Sequence, residues 1–562
     1  MSNRKQRLEL TWIGKDERPR LEPRILLEDA DKSYHAKTRV TDRDIFDNTL
    51  IQGDNLLALK ALEQEYTGKI KCIYIDPPFN TGQAFEHYDD GIAHSLWLSL
   101  MRDRLTILER LLSNEGSIWV HCDDNEQAYL KVMMDEILGR DCFVATVVWE
   151  SRYSRSNDAS LSQSHNFILV YARDPDRWKH ARNRLDRTDE QSGQYKNPDN
   201  DPRGPWRAIP WDAPNLRPNL TYPIKTPTGK VRLPPEGRCW ARTEDQWLEI
   251  VEQGLAYFGK SGDGAPSFKR YLSQAGSIVP NTWWPHEETG HTDEAKKEGY
   301  ALFGKDNAFA TPKPERLLHR IVAIGTNPGD IILDSFGGSG TTGAVAQKMG
   351  RRWIMVELGD HCETHIVPRL RKVIDGTDAG GITEAVDWKG GGGFRYYRLA
   401  PSLLEKDAWG NWVISRDFDA PKLSQAVCKL MGFVYRPDET HYWMQGSSSE
   451  TDFIYVTTQS LTHNQLGALS EEVGDGRTLL VCCKAFRANA DHFDNLTIRK
   501  IPQAVLRKCE WGHDDYSLNV ANLPEAPRDA DTPGATAPKT GKKRISGKSA
   551  VQDDLFGQRG GK

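Results

Sequence analysis

A chain of 562 residues with 38% hydrophobic and 27% charged side chains has the composition of an ordinary globular protein, with room for several domains and a large core. It contains no uninterrupted apolar run of bilayer-spanning length, its first residues (MSNRKQRLELTWIGKDERPR) lack the apolar stretch of a secretory signal, and a net charge of −5 excludes a uniformly basic surface. The missing apolar run predicts no membrane segment, and nine cysteines without a CxxC pair predict a reducing, cytoplasmic setting with no structural zinc and no disulfide, the adjacent Cys482 and Cys483 facing opposite sides of a strand.

Residues 1–46 are charged and weakly periodic, as expected of an arm that packs onto a domain. A strand follows over 49–52, and Asp54-Asn55 is placed to cap the helix LLALKALEQ. The next strand runs over 70–75 and stops at Asp76-Pro77-Pro78-Phe79, because two successive prolines offer no N–H to a ladder. Residues 96–112 have helical spacing, Asn114-Glu115-Gly116 ends that helix, SIWVH is a strand, and DDNE at 123–126 is placed to cap the helix AYLKVMMDEIL. FVATVVW and NFILVYAR are strand-like, so residues 47–173 predict a largely parallel sheet with helices on both faces. From 174 to 290 the pattern dissolves into Pro, Gly, Asn and Trp, with one helical stretch at 243–254: an insertion with its own structure. Its surroundings, from Arg152 to Arg238, interleave arginines with Trp178, Tyr195, Trp206, Trp211 and Tyr222, a mixture suited to phosphate contact and base stacking but equally to core packing. The α/β pattern resumes over 291–389 with the helix PERLLHRIVAIG, a strand, a Gly-rich turn and helix, and the strand RWIMVEL. GGGGF at 390–394 reads as a flexible joint to a small α/β domain over 390–524, where TDFIYVTT and TLLVCCKAF bracket the helix LTHNQLGALSEEV. Residues 525–562 are rich in Pro, Gly, Lys and Ala and read as a disordered tail, with KKR at 542–544 and DDLF at 553–556.

The stretch LDSFGGSGTTGAVA at 333–346 joins a strand to a helix, and Gly337, Gly338 and Gly340 permit a tight turn against a ligand. Glu357, about twenty residues from the turn at the end of the next strand, has the spacing that puts a carboxylate on ribose hydroxyls. No lysine follows the glycines, only Thr341-Thr342, which disfavours a nucleoside triphosphate. A carboxylate at Asp334 can meet an ammonium group, which points to S-adenosyl-L-methionine, a ligand carrying adenosine, sulfonium and amino acid.

D-P-P-F at 76–79 and D-S-F-G-G-S-G-T-T at 334–342, in this order and with an insertion between them, resemble the beta class of DNA amino-methyltransferases. TPKPERLLHRIV, IQGDNLLALKAL, YTGKIKCIYIDPPFNTG, SIWVHCDDNE, GHTDEAKKE and GGGGFRYYRL further resemble the modification (Mod) subunits of type III restriction-modification systems. The resemblance covers residues 45–370 strongly. It implies a Rossmann-like methyltransferase sheet, with a catalytic half at 47–173, a target-recognition region at 174–290 and a cofactor half at 291–389. It implies catalytic roles for Asp76, Pro77, Pro78 and Phe79, and cofactor contacts from Asp54 (adenine), Glu357 (ribose), Lys313 and Pro314 (methionine end), and Asp334, Phe336, Gly338, Gly340 and Thr341. For Asp54 and Lys313, helix capping and an exposed helix start are the competing readings. Asp at the first motif position goes in the family with adenine N6, and Phe79 stands where Tyr is commoner, keeping the ring for stacking.

These features imply a DNA adenine-N6 methyltransferase acting on double-stranded DNA with a flipped-out base. Its C-terminal domain and tail would bind a second copy, as in a homodimer, or a helicase-nuclease partner. The alternatives are an N4-cytosine or RNA methyltransferase, and a DNA-recognition scaffold for a nuclease. Trp206, Arg207 and Trp211 are candidate DNA contacts.

Overall fold

The computed structural model describes residues 9–79, 90–155, 160–489, 492–501, 503, 505–506 and 508–517. The expected tail from 525 onward and residues 80–82 of the FNTG stretch lie outside the described residues.

In chain order the elements around the site are β1 (Leu26–Glu28), β2 (Asn48–Gln52), α1 (Asn55–Tyr66), β3 (Ile70–Ile75), α2 (Asp90–Leu111), β4 (Leu112–Cys122), α3 (Gln127–Ile137), β5 (Phe143–Glu150) and β6 (His165–Ala172). After the insertion come β7 (Trp283–Trp284), α4 (Glu315–Gly325), β8 (Ile331–Asp334), α5 (Thr341–Lys348), β9 (Arg352–Glu357) and β10 (Gly393–Leu399). These strands build one eleven-stranded sheet in the order β1-β10-β2-β9-β8-β3-β4-β6-β5-β7, with a short eleventh strand, Tyr34–His35, against β10. From β10 to β4 the strands are parallel, whereas β6 runs antiparallel to both β4 and β5. The sheet is therefore mixed at one end and parallel through its centre.

The period of two in β3 divides the core. Cys72 and Tyr74 face a cluster that includes Leu317, Ile321 and Trp353, while Ile73 and Ile75 face one built on α1, α2 and α3. Both faces are thus covered, which accounts for the nearly continuous apolar run of a central parallel strand. Chain order reverses between β8 and β3: the path from β8 goes to β9 on one side, the path from β3 to β4 on the other. In open α/β sheets a crevice opens outside the carboxyl ends of the strands at such a point.

Three expectations need correction. The GGGGF stretch is no joint. Added Cβ atoms at Gly391 and Gly392 would lie 2.7 Å from the Asp44 carboxylate and 2.5 Å from the Ile45 carbonyl, so the run is packed against the N-terminal arm. It leads straight into β10, a strand of the central sheet. DDNE does not cap α3 through a side chain, because Asp123 accepts from Asn125 N at 3.0 Å and forms a local turn instead. Trp206 and Trp211, 4% and 1% exposed, are not on the surface. Trp211 joins Tyr222, Trp240, Trp247 and Phe258 in the insertion's own core, and Arg207 lies over the Tyr195 ring. The central sheet reclaims the chain before residue 290, since β7 pairs with β5. The arm's β1 extends the sheet, and the region after Ala400 carries a five-stranded sheet in which Asp452–Val456 and Thr478–Cys483 run parallel around the helix His463–Val473. All nine cysteines are free, and among the described residues no helix is long and apolar enough to cross a membrane.

Candidate active site at the carboxyl ends of the central strands

Asp76 leaves the end of β3 and Asp334 ends β8, the two strands at the reversal point, so neighbouring strands deliver both carboxylates to one crevice. The crevice is a cavity of about 350 Å³ lined by Tyr74, Asp76, Pro78, Lys313, Asp334, Phe336, Gly338, Thr341 and Glu357 among others.

The Asp76–Phe79 lip is held from several sides. Trp97 Nε1 donates to the Pro78 carbonyl at 2.9 Å, and Pro77 is buried. Lys313 Nζ pairs with Asp76 Oδ2 and sits 5.6 Å from the centre of the Phe79 ring. The other oxygen, Asp76 Oδ1, is buried without a hydrogen-bond partner. An acceptor in that state costs free energy until a donor arrives, so Asp76 keeps one acceptor uncommitted. Behind the lip, His121 is buried within 5.8 Å of the Phe79 ring, near the Tyr74 hydroxyl (3.3 Å) and Asn166 Nδ2 (3.1 Å). Burial, with help from the Lys313 charge, pushes its pKa down to about 3, so it stays neutral.

The Gly-rich turn is equally determined. Gly340, at φ +76°, caps α5, and a Cβ there would meet Ile366 at 3.0 Å; glycine is the residue that fits. Glu357 accepts from the amides of Gly338 (2.7 Å) and Gly359 (2.9 Å) and pairs with His361 at 3.0 Å, and these contacts hold its carboxyl below the ordinary value against the effect of burial. Thr341 Oγ1 donates to the Lys313 carbonyl (3.2 Å) and receives Arg369 (2.8 Å), tying the turn to the segment that holds Asp76. Asp334 accepts from Thr342 Oγ1 at 2.6 Å and Phe336 N at 2.9 Å. Burial, reinforced by the nearby charges of Asp76 and Glu357, nevertheless raises its pKa to about 8.

That shift has a measurable consequence. At neutral pH the free chain holds a proton on Asp334 that a cationic ligand must expel. Affinity for a ligand carrying an ammonium beside Asp334 should therefore improve as pH rises from 6 to 8, by up to about tenfold per unit, and level off above. Calorimetry at pH 7 in two buffers of different ionisation enthalpy should register release of close to one proton.

The cavity brings together Asp76, Pro78, Lys313, Asp334, Phe336, Gly338, Thr341 and Glu357. Pro77, Phe79, Pro314 and Gly340 stand behind or beside its wall, Pro314 as the N-cap of α4. Asp54 is placed differently: it is 1% exposed, caps α1 through Leu57 N at 3.0 Å, and faces Arg104 rather than the open cavity. Tyr74, Arg104, Phe309 and Ser335 also line the site and were not singled out from the sequence. Tyr74 could have been, since it lies two residues before Asp76 on the same strand face. So could Ser335, which stands inside the D-S-F-G-G motif; Arg104 and Phe309 carry no local signal.

The donors and acceptors fit an adenosyl amino acid. Ser335 Oγ, like Asp76 Oδ1, is a buried polar atom without a partner, whereas the amides of Gly337, Gly338 and Gly340 are already taken up by the Val356 carbonyl, Glu357 Oε2 and the Gly337 carbonyl.

Comparison with known proteins gives the family of the chain. A family model, N6_N4_Mtase, described as a DNA methylase, matches residues 70–367. The probable type III restriction-modification enzyme HindVI Mod subunit of Haemophilus influenzae is 33% identical over 425 residues, covering 65% of this chain and 55% of that protein. The StyLTI Mod subunit of Salmonella typhimurium is 35% identical over 329 residues, covering 52% and 49%. The type II methyltransferase M.EcaI of Enterobacter cloacae is 31% identical over 322 residues, covering 56% and 67%. The chain thus spans about half the length of the two Mod subunits. With a family match that takes in both the Asp76 lip and the Gly-rich turn, the chain belongs to the DNA methylase family.

Proposed function

We propose that this protein is a site-specific DNA methyltransferase that moves a methyl group from S-adenosyl-L-methionine to adenine N6 of double-stranded DNA. It would act in the cytoplasm as the modification component of a restriction or phage-defence system, alongside a helicase-nuclease partner. The observation that carries the reading is the buried, unpartnered Asp76 Oδ1 on the wall of the cavity that the Gly-rich turn and Glu357 also line. The likeness to Mod subunits supports the biological setting.

The cofactor supplies an electrophilic methyl on a sulfonium. The chain supplies position. An exocyclic amine is a poor nucleophile because its lone pair is delocalised into the ring. Asp76 Oδ1 accepts one amine N–H and the Pro77 carbonyl the other, which favours a tetrahedral nitrogen with its lone pair free. Lys313 fixes the opposite Asp76 oxygen, so the acceptor is oriented before the base arrives. Phe79, backed by neutral His121, offers a ring face to a base extruded from the duplex. Asp334 and Glu357 would receive the ammonium and ribose ends of the cofactor.

Expression in a host without its own methylation, followed by long-read sequencing, should show N6-methyladenine at one sequence motif. Modified cytosine would reassign the target to N4. Purified protein that leaves DNA unmodified in the presence of S-adenosyl-L-methionine would remove the reading.

A further inference from the structure

Asp54 follows β2, and β2 is the parallel neighbour of β9, which Glu357 ends; Gln52 pairs with Glu357, and Gly53 N donates to the Glu357 carbonyl at 3.0 Å. The strand end before Asp54 is thus the neighbour of the one that would hold the ribose, and the Asp54 carboxylate is placed for the base of that nucleoside. In the structure that place is taken. Tyr516, 462 residues further along the chain, donates its backbone N–H to Asp54 Oδ2 at 2.9 Å. Its carbonyl accepts from Arg104 Nη2 at 3.1 Å, and the same Nη2 stands 3.4 Å from Asp54 Oδ2. The next residue, Ser517, forms part of the cavity wall with Asn55, Arg104 and Phe336.

One peptide residue thus presents a donor and an acceptor side by side to a buried carboxylate and a buried guanidinium. The edge of adenine presents the same pair, an amino N–H next to a ring nitrogen. The segment is seated there by contacts that leave Asp54 and Arg104 out: Arg24 Nη2 donates to the His513 carbonyl at 2.7 Å, Arg24 Nη1 pairs with Asp514 at 2.5 Å, and Gly512 N donates to Ser402 Oγ at 3.0 Å. The anchor on Arg24 and Ser402 can hold while the last residues swing away.

We propose that the main chain of Tyr516 is an internal stand-in for the adenine edge of the cofactor, seated on Asp54, the acid that the resemblance already puts at adenine, and on Arg104. Residues 515–517 then lift off for the cofactor to seat fully, so that cofactor binding and docking of this C-terminal segment compete. The inference rests on the cofactor reading above and assigns to Arg104 a role that its mid-helix position in α2 does not suggest. A purine analogue without the amino group loses the Asp54 contact and should compete poorly with the segment.

Hydrogen exchange on the full-length protein, with and without S-adenosylhomocysteine, tests this directly. Competition requires faster exchange of the amides at 515–517 in the complex, that of Tyr516 foremost; slower exchange there means the segment is a fixed wall of the site and overturns the proposal. Tyr516→Pro deletes the donor while keeping the carbonyl, and should tighten S-adenosylhomocysteine binding about tenfold, the scale of one hydrogen bond to a charged group. Unchanged or weaker binding by a folded Tyr516→Pro protein would count against it. If neither protein binds S-adenosylhomocysteine, the cofactor reading itself falls, and the proposal with it.

Discussion

Asp76→Ala is expected to lower the rate of methyl transfer by about 10²–10³-fold or more, the cost of removing a preorganised group aimed at the reacting atom, while the Kd for S-adenosylhomocysteine changes little. Two features support the separation. Asp76 meets the turn only through Lys313, whereas Glu357 and Gly338 are joined to each other directly. Asp334 keeps both of its hydrogen bonds, to Thr342 and Phe336, without Asp76. The variant carries a second signature. The Asp76 charge is one of the causes that raise the Asp334 pKa, so its loss should move the pH dependence of cofactor binding to lower pH. Asp76→Asn keeps one acceptor and should fall between wild type and Ala. Single-turnover transfer of a labelled methyl, read beside equilibrium binding, separates the two effects. Near-normal transfer would show that the lip does not hold the amine, and lost binding would show that the lip helps build the cofactor site.

How far the chain could be read depended on whether a residue's partners lie close in sequence. β3 runs over Ile70–Ile75 as its apolar run and double proline require, and α4 begins after Pro314 because a proline N-cap and an apolar face of period 3.6 are local signals. The lip and the Gly-rich turn were legible for the same reason. Each is a short motif between two elements, and the sheet order then brings them together although 237 residues separate Asp76 from Lys313. The glycine run at 390–393 shows the limit. Its composition says flexible, yet its neighbours are Asp44, Ile45 and Gln347, and only the folded arm reveals the close packing. Trp206 and Trp211 show another: an aromatic beside arginine has the same local appearance on a DNA-binding face and in a core. Asp54 was legible as a helix cap but not as the seat of Tyr516, because a backbone contact across most of the chain has no side-chain signature.

Lys348→Met is expected to destabilise the fold by about 3–5 kcal/mol, the range for leaving a buried charge without its partner. Lys348 is fully buried at the end of α5, with its ammonium 2.8 and 3.0 Å from the two Glu315 oxygens and 2.7 Å from Asp378. Arg369 takes the remaining side of Glu315 at 2.8 Å, and the Ile382 amide donates to it at 3.0 Å. Two carboxylates would lose a shared cation in a place that water does not reach. Arg369 alone cannot neutralise both, since it contacts Glu315 while Asp378 relies on Lys348. The same Arg369 holds Thr341 Oγ1 at 2.8 Å, and Thr341 reaches the Lys313 carbonyl. The network is therefore the floor under the Gly-rich turn, and its disruption should reach the site as well as the melting temperature. Denaturant unfolding should give the loss of stability. A cofactor Kd measured well below the melting temperature should also rise, which damage confined to the core would not produce. Replacing Lys348, Glu315, Asp378 and Arg369 together by apolar residues of similar volume should restore much of the stability, because no charge is then stranded. It should not restore the Kd, because Thr341 would have lost the guanidinium that holds it.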